Sequence, residues 1–199
     1  MTDLQKEAWG PEGDASRHLA TEVLRAALVA LPPAPTATQG GVVALLVKRH
    51  PDGSRTTHDD ATLSVDDGLV GDGWSRRPPR NVEAQVTVMR RDIGEVIANG
   101  QDLTLFGDNV IVDLDLSDAN LPAGTRLRVG DAEVEVTSKP HNGCSKYKAR
   151  FGADALAVVQ DPVTRNQNLR GIHWRVVASG RVWVGAPIVV LARAPHATL

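Results

Sequence analysis

The chain holds one thiol, Cys144, in 199 residues. A lone thiol forms no intrachain disulfide and cannot assemble the several thiolates of a structural zinc or iron–sulfur site. One unpaired cysteine suits a reducing compartment, so the expected location is cytoplasmic. Aromatic residues are also scarce, at 4%, with four Trp, two Phe and one Tyr. The core is therefore expected to be mostly Val, Leu, Ala and Ile. No apolar run is longer than Val42 to Val47, which is far short of a membrane span. No basic segment leads into an apolar stretch near Met1, so no secretory signal is expected. A surplus of either charge is missing as well: 22 Lys and Arg stand against 24 Asp and Glu, a net charge of −2. That balance supplies none of the long-range attraction that nucleic acid or an anionic membrane would need. Basic clusters are accordingly read as local sites.

What remains is ordinary globular material, 42% apolar and 23% charged, long enough for a real core. Leu19, Val23, Leu24, Ala27, Leu28 and Leu31 recur at helical spacing and predict an amphipathic helix over Asp14 to Leu31. Asp14 or Ser16 would cap it, and Pro32-Pro33-Ala34-Pro35 would stop it. Residues 1–40 are thus expected to form an N-terminal helix and linker, and residues 41–199 the main domain. From Gly41 the texture changes to short β-type segments: Val42 to Lys48, Ala84 to Met89, Asp102 to Phe106 and Val110 to Leu116. Arg126 to Thr137 reads as a hairpin turning at Gly130-Asp131. A second hairpin is expected over Ile172 to Val184, turning at Ala178-Ser179-Gly180, and Ile188 to Ala192 closes the series. Arg91 to Ala98, ending at Asn99-Gly100, and Tyr147 to Gln160 are predicted as short helices. Many short strands and few helices favour a β-barrel or a strongly bent sheet.

Cys144 sits in His141-Asn142-Gly143-Cys144-Ser145-Lys146, a stretch with no apolar periodicity. Free cysteines are commonly small buried hydrophobes. Here the positions two residues away are Asn142 and Lys146, which does not suit a core strand. Lys146, Lys148 and Arg150 follow, and cations favour the anionic sulfur that attacks electrophiles or binds soft metals. His141 is either a proton-sharing partner or a plain loop histidine. Lys146, Lys148, Arg150, Arg165 and Arg170 are candidates to receive a phosphate or another anion, or else solvated surface charge. Gly171 would let a ligand approach the backbone beside Arg170. Gly68 to Trp74 is glycine-dense but has the wrong spacing for a nucleotide loop. Asp113 to Asp118 lacks the glycine and the closing glutamate of a calcium loop. No Gly-x-Ser-x-Gly elbow is present.

Four features together resemble the MOSC family, named for the C-terminal domain of molybdenum-cofactor sulfurases. They are Phe106-Gly107-Asp108-Asn109; Ala123 to Gly130 running into Ala132 to Thr137; Pro140 to Lys146 with the family's single characteristic cysteine; and Leu169-Arg170-Gly171-Ile172 followed by Val176-Val177, Gly180, Val182 and Gly185. Gly68 to Asp72 extends the resemblance to roughly residues 40 to 191. The chain departs from the family pattern at Trp74 to Pro79 and at Gly185-Ala186.

The resemblance implies a mainly β, MOSC-type barrel of the pyruvate-kinase-barrel kind, with a few short helices. It also implies molybdenum cofactor (molybdopterin) as the ligand, with Cys144 either ligating molybdenum or carrying persulfide sulfur. The cofactor's phosphate gives Arg170 and Lys146 a reason to be there. Asn109, Gly143 and Gly171 are further expected contacts, and His141 stands beside Cys144 as a catalytic candidate. The expected activity is a two-electron reduction of a small molecule, as of N-hydroxylated compounds, with a separate electron-donor protein. The alternatives are a persulfide carrier fed by a sulfur-donor protein and a non-catalytic cofactor-binding or delivery module. Neither nucleic acid nor membrane is an expected partner, and either a monomer or a homodimer is compatible with the sequence.

Overall fold

The computed structural model describes residues 10–195. In chain order its regular elements are α1 (Thr21–Val29), β1 (Gly41–Arg49), β2 (Arg55–His58), β3 (Asp60–Ser64), β4 (Gly68–Leu69), β5 (Val86–Arg90), α2 (Arg91–Ala98), β6 (Val110–Asp113), β7 (Arg126–Val129), β8 (Ala132–Val136), α3 (Ser145–Val159), β9 (Ile172–Ala178), β10 (Gly180–Trp183) and β11 (Pro187–Ala192). Alternation of buried and exposed side chains along β7 and β8 places Leu127, Val129, Ala132, Val134 and Val136 inside. The same inward faces from the neighbouring strands meet around Trp174, and together they close a seven-stranded barrel.

Closure follows from the pairing. The strand order is β11-β7-β8-β9-β5-β6-β1, and β1 pairs back onto β11 through Gly41 and Val42. A closed sheet leaves no unpaired edge, which suits strands this short. The β5–β6 pair is parallel and all the others are antiparallel. Parallel neighbours need a crossover, and α2 supplies it. The far end of β1 runs beyond the barrel and pairs with β2 through Leu46 to Arg49. A separate small sheet, β10-β3-β4, lies alongside.

A second apolar cluster forms outside the barrel, where α1, α2 and α3 meet through Leu24, Ile93, Ile97, Phe106, Phe151 and Ala155. Leu24 is fully buried there, which stabilises the docking of α1 by about 2 kcal/mol.

Four sequence expectations need correction. The helix expected over Asp14 to Leu31 is a 3-10 turn at Ala15–Arg17 followed, after a break, by α1. At the break, His18 turns inward to bond the Arg150 carbonyl. Residues Leu103–Phe106 form a 3-10 turn capped by Asp102, whose carboxylate accepts from Thr104 N, and not a strand. β9 and β10 do not form a hairpin, because β10 leaves the barrel to pair with β3. Finally, α3 is interrupted at Gly152, whose φ of +93° and ψ of +165° are not helical.

Candidate functional site

The loops at one end of the barrel surround a cavity of about 180 Å³. β1 ends there with Arg49, and β2 begins there with Arg55. The turn before β6 contributes Asp108, the loop after β8 contributes His141, and Arg170 stands two residues before β9. Cys144 occupies the N-cap position of α3, with extended backbone, and its carbonyl accepts from Lys148 N. The thiol makes no cap bond and is exposed on the cavity wall.

The cavity is strongly cationic. Arg49, Arg55, Arg77, Lys146, Arg150 and Arg170 all line it, and Asp108 is the one carboxylate among its lining residues. Burial, then the neighbouring charges of Arg150 and Arg49, push Arg55 down to about 10. Lys146 is lowered by burial and by Arg77, and burial also lowers Arg77 and Arg150. Charges crowded in this way repel one another and are relieved by a bound anion.

Two buried carboxylates orient the guanidinium groups. Asp72 Oδ1 accepts from Arg49 N at 2.8 Å and from Nε at 2.9 Å, while Oδ2 accepts from Trp74 N at 3.0 Å. The Arg49 Nη2 bond to Oδ2 is 2.5 Å. Although burial disfavours its cation, these bonds hold Arg49 above its ordinary value. Asp108 Oδ2 accepts from Arg170 Nη1 at 2.6 Å, and its Oδ1 lies 3.5 Å from His141 Nε2. The Arg170 guanidinium lies 5.2 Å over the Tyr147 ring, a cation–π contact.

His141 packs against His173 with ring centroids 4.4 Å apart, and His173 Nδ1 donates to the Lys139 carbonyl. Burial, then Arg170, His173 and Arg49, hold His141 well below 6.5, so its imidazole is neutral at physiological pH. His141 Nδ1, Arg170 Nε, Tyr147 Oη and Asp108 Oδ1 are buried without a hydrogen-bond partner. Such groups are costly to leave unpaired, and all four belong to residues that line this one cavity.

The structure thus gathers Cys144, His141, Lys146 and Arg170 on one cavity. Asn109 is buried behind it; its Oδ1 accepts from Thr87 Oγ1 at 3.1 Å and from Arg49 Nη2 at 3.4 Å. Gly143 packs on α3, where a Cβ would come within 2.3 Å of Leu156 Cδ1. Gly171 borders the adjoining cleft, and a Cβ there would lie 2.0 Å from the Val88 carbonyl oxygen. Lys148 and Arg165 are exposed and do not line the cavity. Arg49, Arg55, Asp72 and Asp108 were not picked out as site residues from the sequence. They sit at strand ends and turns, where no periodicity marks them; Asp72 and Asp108 lie inside the Gly68 to Asp72 and Phe106 to Asn109 stretches, while Arg49 and Arg55 are marked only as the charged pair flanking the His50–Ser54 turn.

No group of three or more His, Cys, Asp or Glu side chains among the described residues is placed to hold a metal ion. A metal at Cys144 would therefore bring further ligands of its own. The donors present do fit a phosphorylated, metal-bearing cofactor: a soft sulfur, a cationic cavity and buried polar atoms without partners.

A closed β-barrel with a single cysteine beside a cationic cavity defines the class, and comparison with known proteins gives the family. Residues 73–189, more than half of the chain, match the MOSC domain, and the chain belongs to that family. Membership associates it with molybdenum-cofactor-related function. Among solved structures it is similar to a hypothetical protein (22% identity, TM-score 0.61, covering 80% of this chain and 71% of that one). It is also similar to YiiM from Escherichia coli (23%, TM-score 0.54, 79% and 73%) and to YiiM from Geobacillus stearothermophilus (18%, TM-score 0.50, 83% and 78%). At such identities the likeness is one of fold. No curated protein matches the chain in sequence. Among the described residues no helix is long and apolar enough to cross a membrane.

Proposed function

We propose that this chain holds molybdenum cofactor with Cys144 as the protein ligand to molybdenum. We take its reaction to be a two-electron reduction of a small molecule, with N-hydroxylated compounds as the substrate class and electrons from a separate donor protein. The observation that carries this reading is the convergence of six cations and one carboxylate on a cavity whose wall bears the exposed Cys144. When bound, the cofactor supplies a redox-active metal that exchanges electron pairs.

The chain's own residues divide the remaining work. Arg55, Arg150 and Lys146 neutralise the phosphate, with Arg suited to it by its fork of donors. Arg170, held by Asp108 and Tyr147, keeps Nε for a ligand acceptor. Cys144 supplies a polarisable sulfur. His141, neutral and with Nδ1 unpaired, can hold or release a proton on the same cavity. Asn109 acts on the ligand through Arg49, and Gly143 and Gly171 act through the backbone paths of the loops that carry Cys144 and Arg170. A cavity of about 180 Å³ is smaller than pockets that enclose a whole ligand, at roughly 300–1,000 Å³. It would enclose the phosphate end and leave the reacting centre accessible.

The test is elemental analysis of full-length protein made in a cofactor-replete host. The reading expects about one molybdenum per chain, lost in Cys144→Ser. Cyanide-labile sulfur without molybdenum would replace it with the persulfide-carrier reading, and protein carrying neither would overturn both.

A further inference from the structure

The segment preceding α1 forms part of the cavity wall. Gly10 lines the cavity, and a Cβ placed on it would lie 3.0 Å from the Gly53 carbonyl oxygen and 3.1 Å from Arg150 Nη2. One residue on, the Pro11 carbonyl accepts from Arg150 Nε at 3.0 Å. Gly13 lies against the Arg150 main chain so closely that a Cβ would come within 2.0 Å of the Arg150 carbonyl oxygen. Asp14 N then donates to Gln101 Oε1 at 2.7 Å, and the Arg17 carbonyl accepts from Asn99 Nδ2.

The segment is hooked in place at the break in α3. The positive-φ backbone at Gly152 interrupts the helical hydrogen-bond ladder just after Arg150. His18 fills that opening: its Nε2 donates to the Arg150 carbonyl at 3.1 Å, and Gln101 Nε2 donates to the same oxygen at 3.4 Å. Gly152 is what leaves room, since a Cβ there would lie 3.1 Å from the His18 ring. Both ends of one arginine, its backbone carbonyl and its guanidinium, are therefore held by the same N-terminal segment. Leu105 is a further anchor, its carbonyl accepting from Arg150 Nη1. Arg150 is in turn one of the six cations that face the anion cavity.

The geometry points to residues 10–18 as a positioning strap, in which His18 and Pro11 fix Arg150 so that the anion cavity is complete only when the strap is docked. The proposal rests on reading this cavity as an anion site. Strap docking and anion binding then stabilise each other, because a coupling between two sites is reciprocal.

Inorganic pyrophosphate titrated calorimetrically into the full chain separates the two ideas. Wild type binds it, and Arg55→Gln, which removes a cation outside the strap, weakens binding. His18→Ala weakens it about 3- to 10-fold, the worth of one hydrogen bond, and His18→Gln restores it by supplying another N–H donor. Hydrogen exchange on wild type needs no variant: saturating pyrophosphate slows exchange of the amides of residues 10–18. Unchanged affinity in a folded His18→Ala, or pyrophosphate binding that leaves exchange over residues 10–18 unaltered, overturns the strap and leaves the anion site standing. No binding of pyrophosphate to wild type overturns both.

Discussion

Arg170 donates to Asp108 at 2.6 Å, and both side chains are at least nine-tenths buried. Burying two charges is costly in itself, and removing one partner leaves the other uncompensated. Asp108→Asn is expected to destabilise the fold by about 3–5 kcal/mol, as measured by urea unfolding. The double variant Asp108→Asn with Arg170→Met recovers part of that loss, because no unpaired charge is left behind. If the single variant unfolds at the wild-type urea concentration, the pair is not buried as described.

The Asp72–Arg49 pair predicts an acid limb. Burial opposes ionisation of Asp72, but the Arg49 hydrogen bonds and charge outweigh it and hold the carboxyl below its ordinary 3.8. The unfolded chain therefore takes up this proton first. The pair's contribution is fully present above pH 3.8 and is lost as pH falls further, through the folded-state value. Asp72→Asn should be less stable than wild type at neutral pH, with the gap narrowing below about pH 3.8 in thermal melts. A gap that stays constant down to strongly acid pH would show that this carboxyl is not depressed.

His141 gives a second limb, at higher pH. Burial first, then Arg170, His173 and Arg49, keep its folded-state value well below 6.5. As pH falls through 6.5, the unfolded state binds a proton that the folded state refuses, so stability falls by up to ~1.4 kcal/mol per pH unit per such group. His173 is lowered as well, mainly by burial, and adds to the slope. Unfolding free energies measured between pH 7 and pH 5 should fall less steeply in His141→Gln than in wild type. Equal slopes would place the titration elsewhere.

The barrel was legible where periodicity was clean. β7 and β8 alternate residue by residue, and Gly130, with a φ of +58°, makes the turn that Gly130-Asp131 announced. α2 ends at Asn99 in the left-handed conformation, as its Asn-Gly ending indicated. The end of β9 is not legible locally, because pairing partners are not local information: Ala178-Ser179-Gly180 looks like a hairpin turn, yet β10 finds its partner in β3, over a hundred residues earlier. At the site, Cys144 stood out by its unlikeness to core sequence. The arginines that surround it come from four separate stretches of chain, and only the closed barrel brings Arg49 and Arg55 opposite Arg150.

Gly171 tests whether a site-adjacent glycine is there for packing. Its φ is +100°, and a Cβ would lie 2.0 Å from the Val88 carbonyl oxygen, on the strand that pairs with β9. Gly171→Ala is expected to cost roughly 3 kcal/mol or more, combining backbone strain with a main-chain collision. Gly185 is the control, since its φ is +85° and nothing lies within 4 Å of a Cβ there. Gly185→Ala should cost only about 1 kcal/mol, the strain term alone. Similar losses at the two positions in chemical denaturation would remove the collision with Val88 from the account.

Arg55 tests the cavity's charge. Its Nη1 donates to the Thr104 carbonyl and it faces Arg150 and Arg49, so its positive charge is held against repulsion. A bound anion converts that repulsion into attraction, and any ligand that prefers the folded state raises its stability by mass action. Millimolar pyrophosphate should therefore raise the melting temperature of wild type, while chloride at matched ionic strength should not. Hydrogen bonds to charged groups are worth about 1.5–3 kcal/mol, so Arg55→Gln should weaken pyrophosphate binding by roughly 10- to 150-fold. A variant that binds as tightly as wild type would mean that the anion, wherever it sits, is not between Arg55 and Arg150.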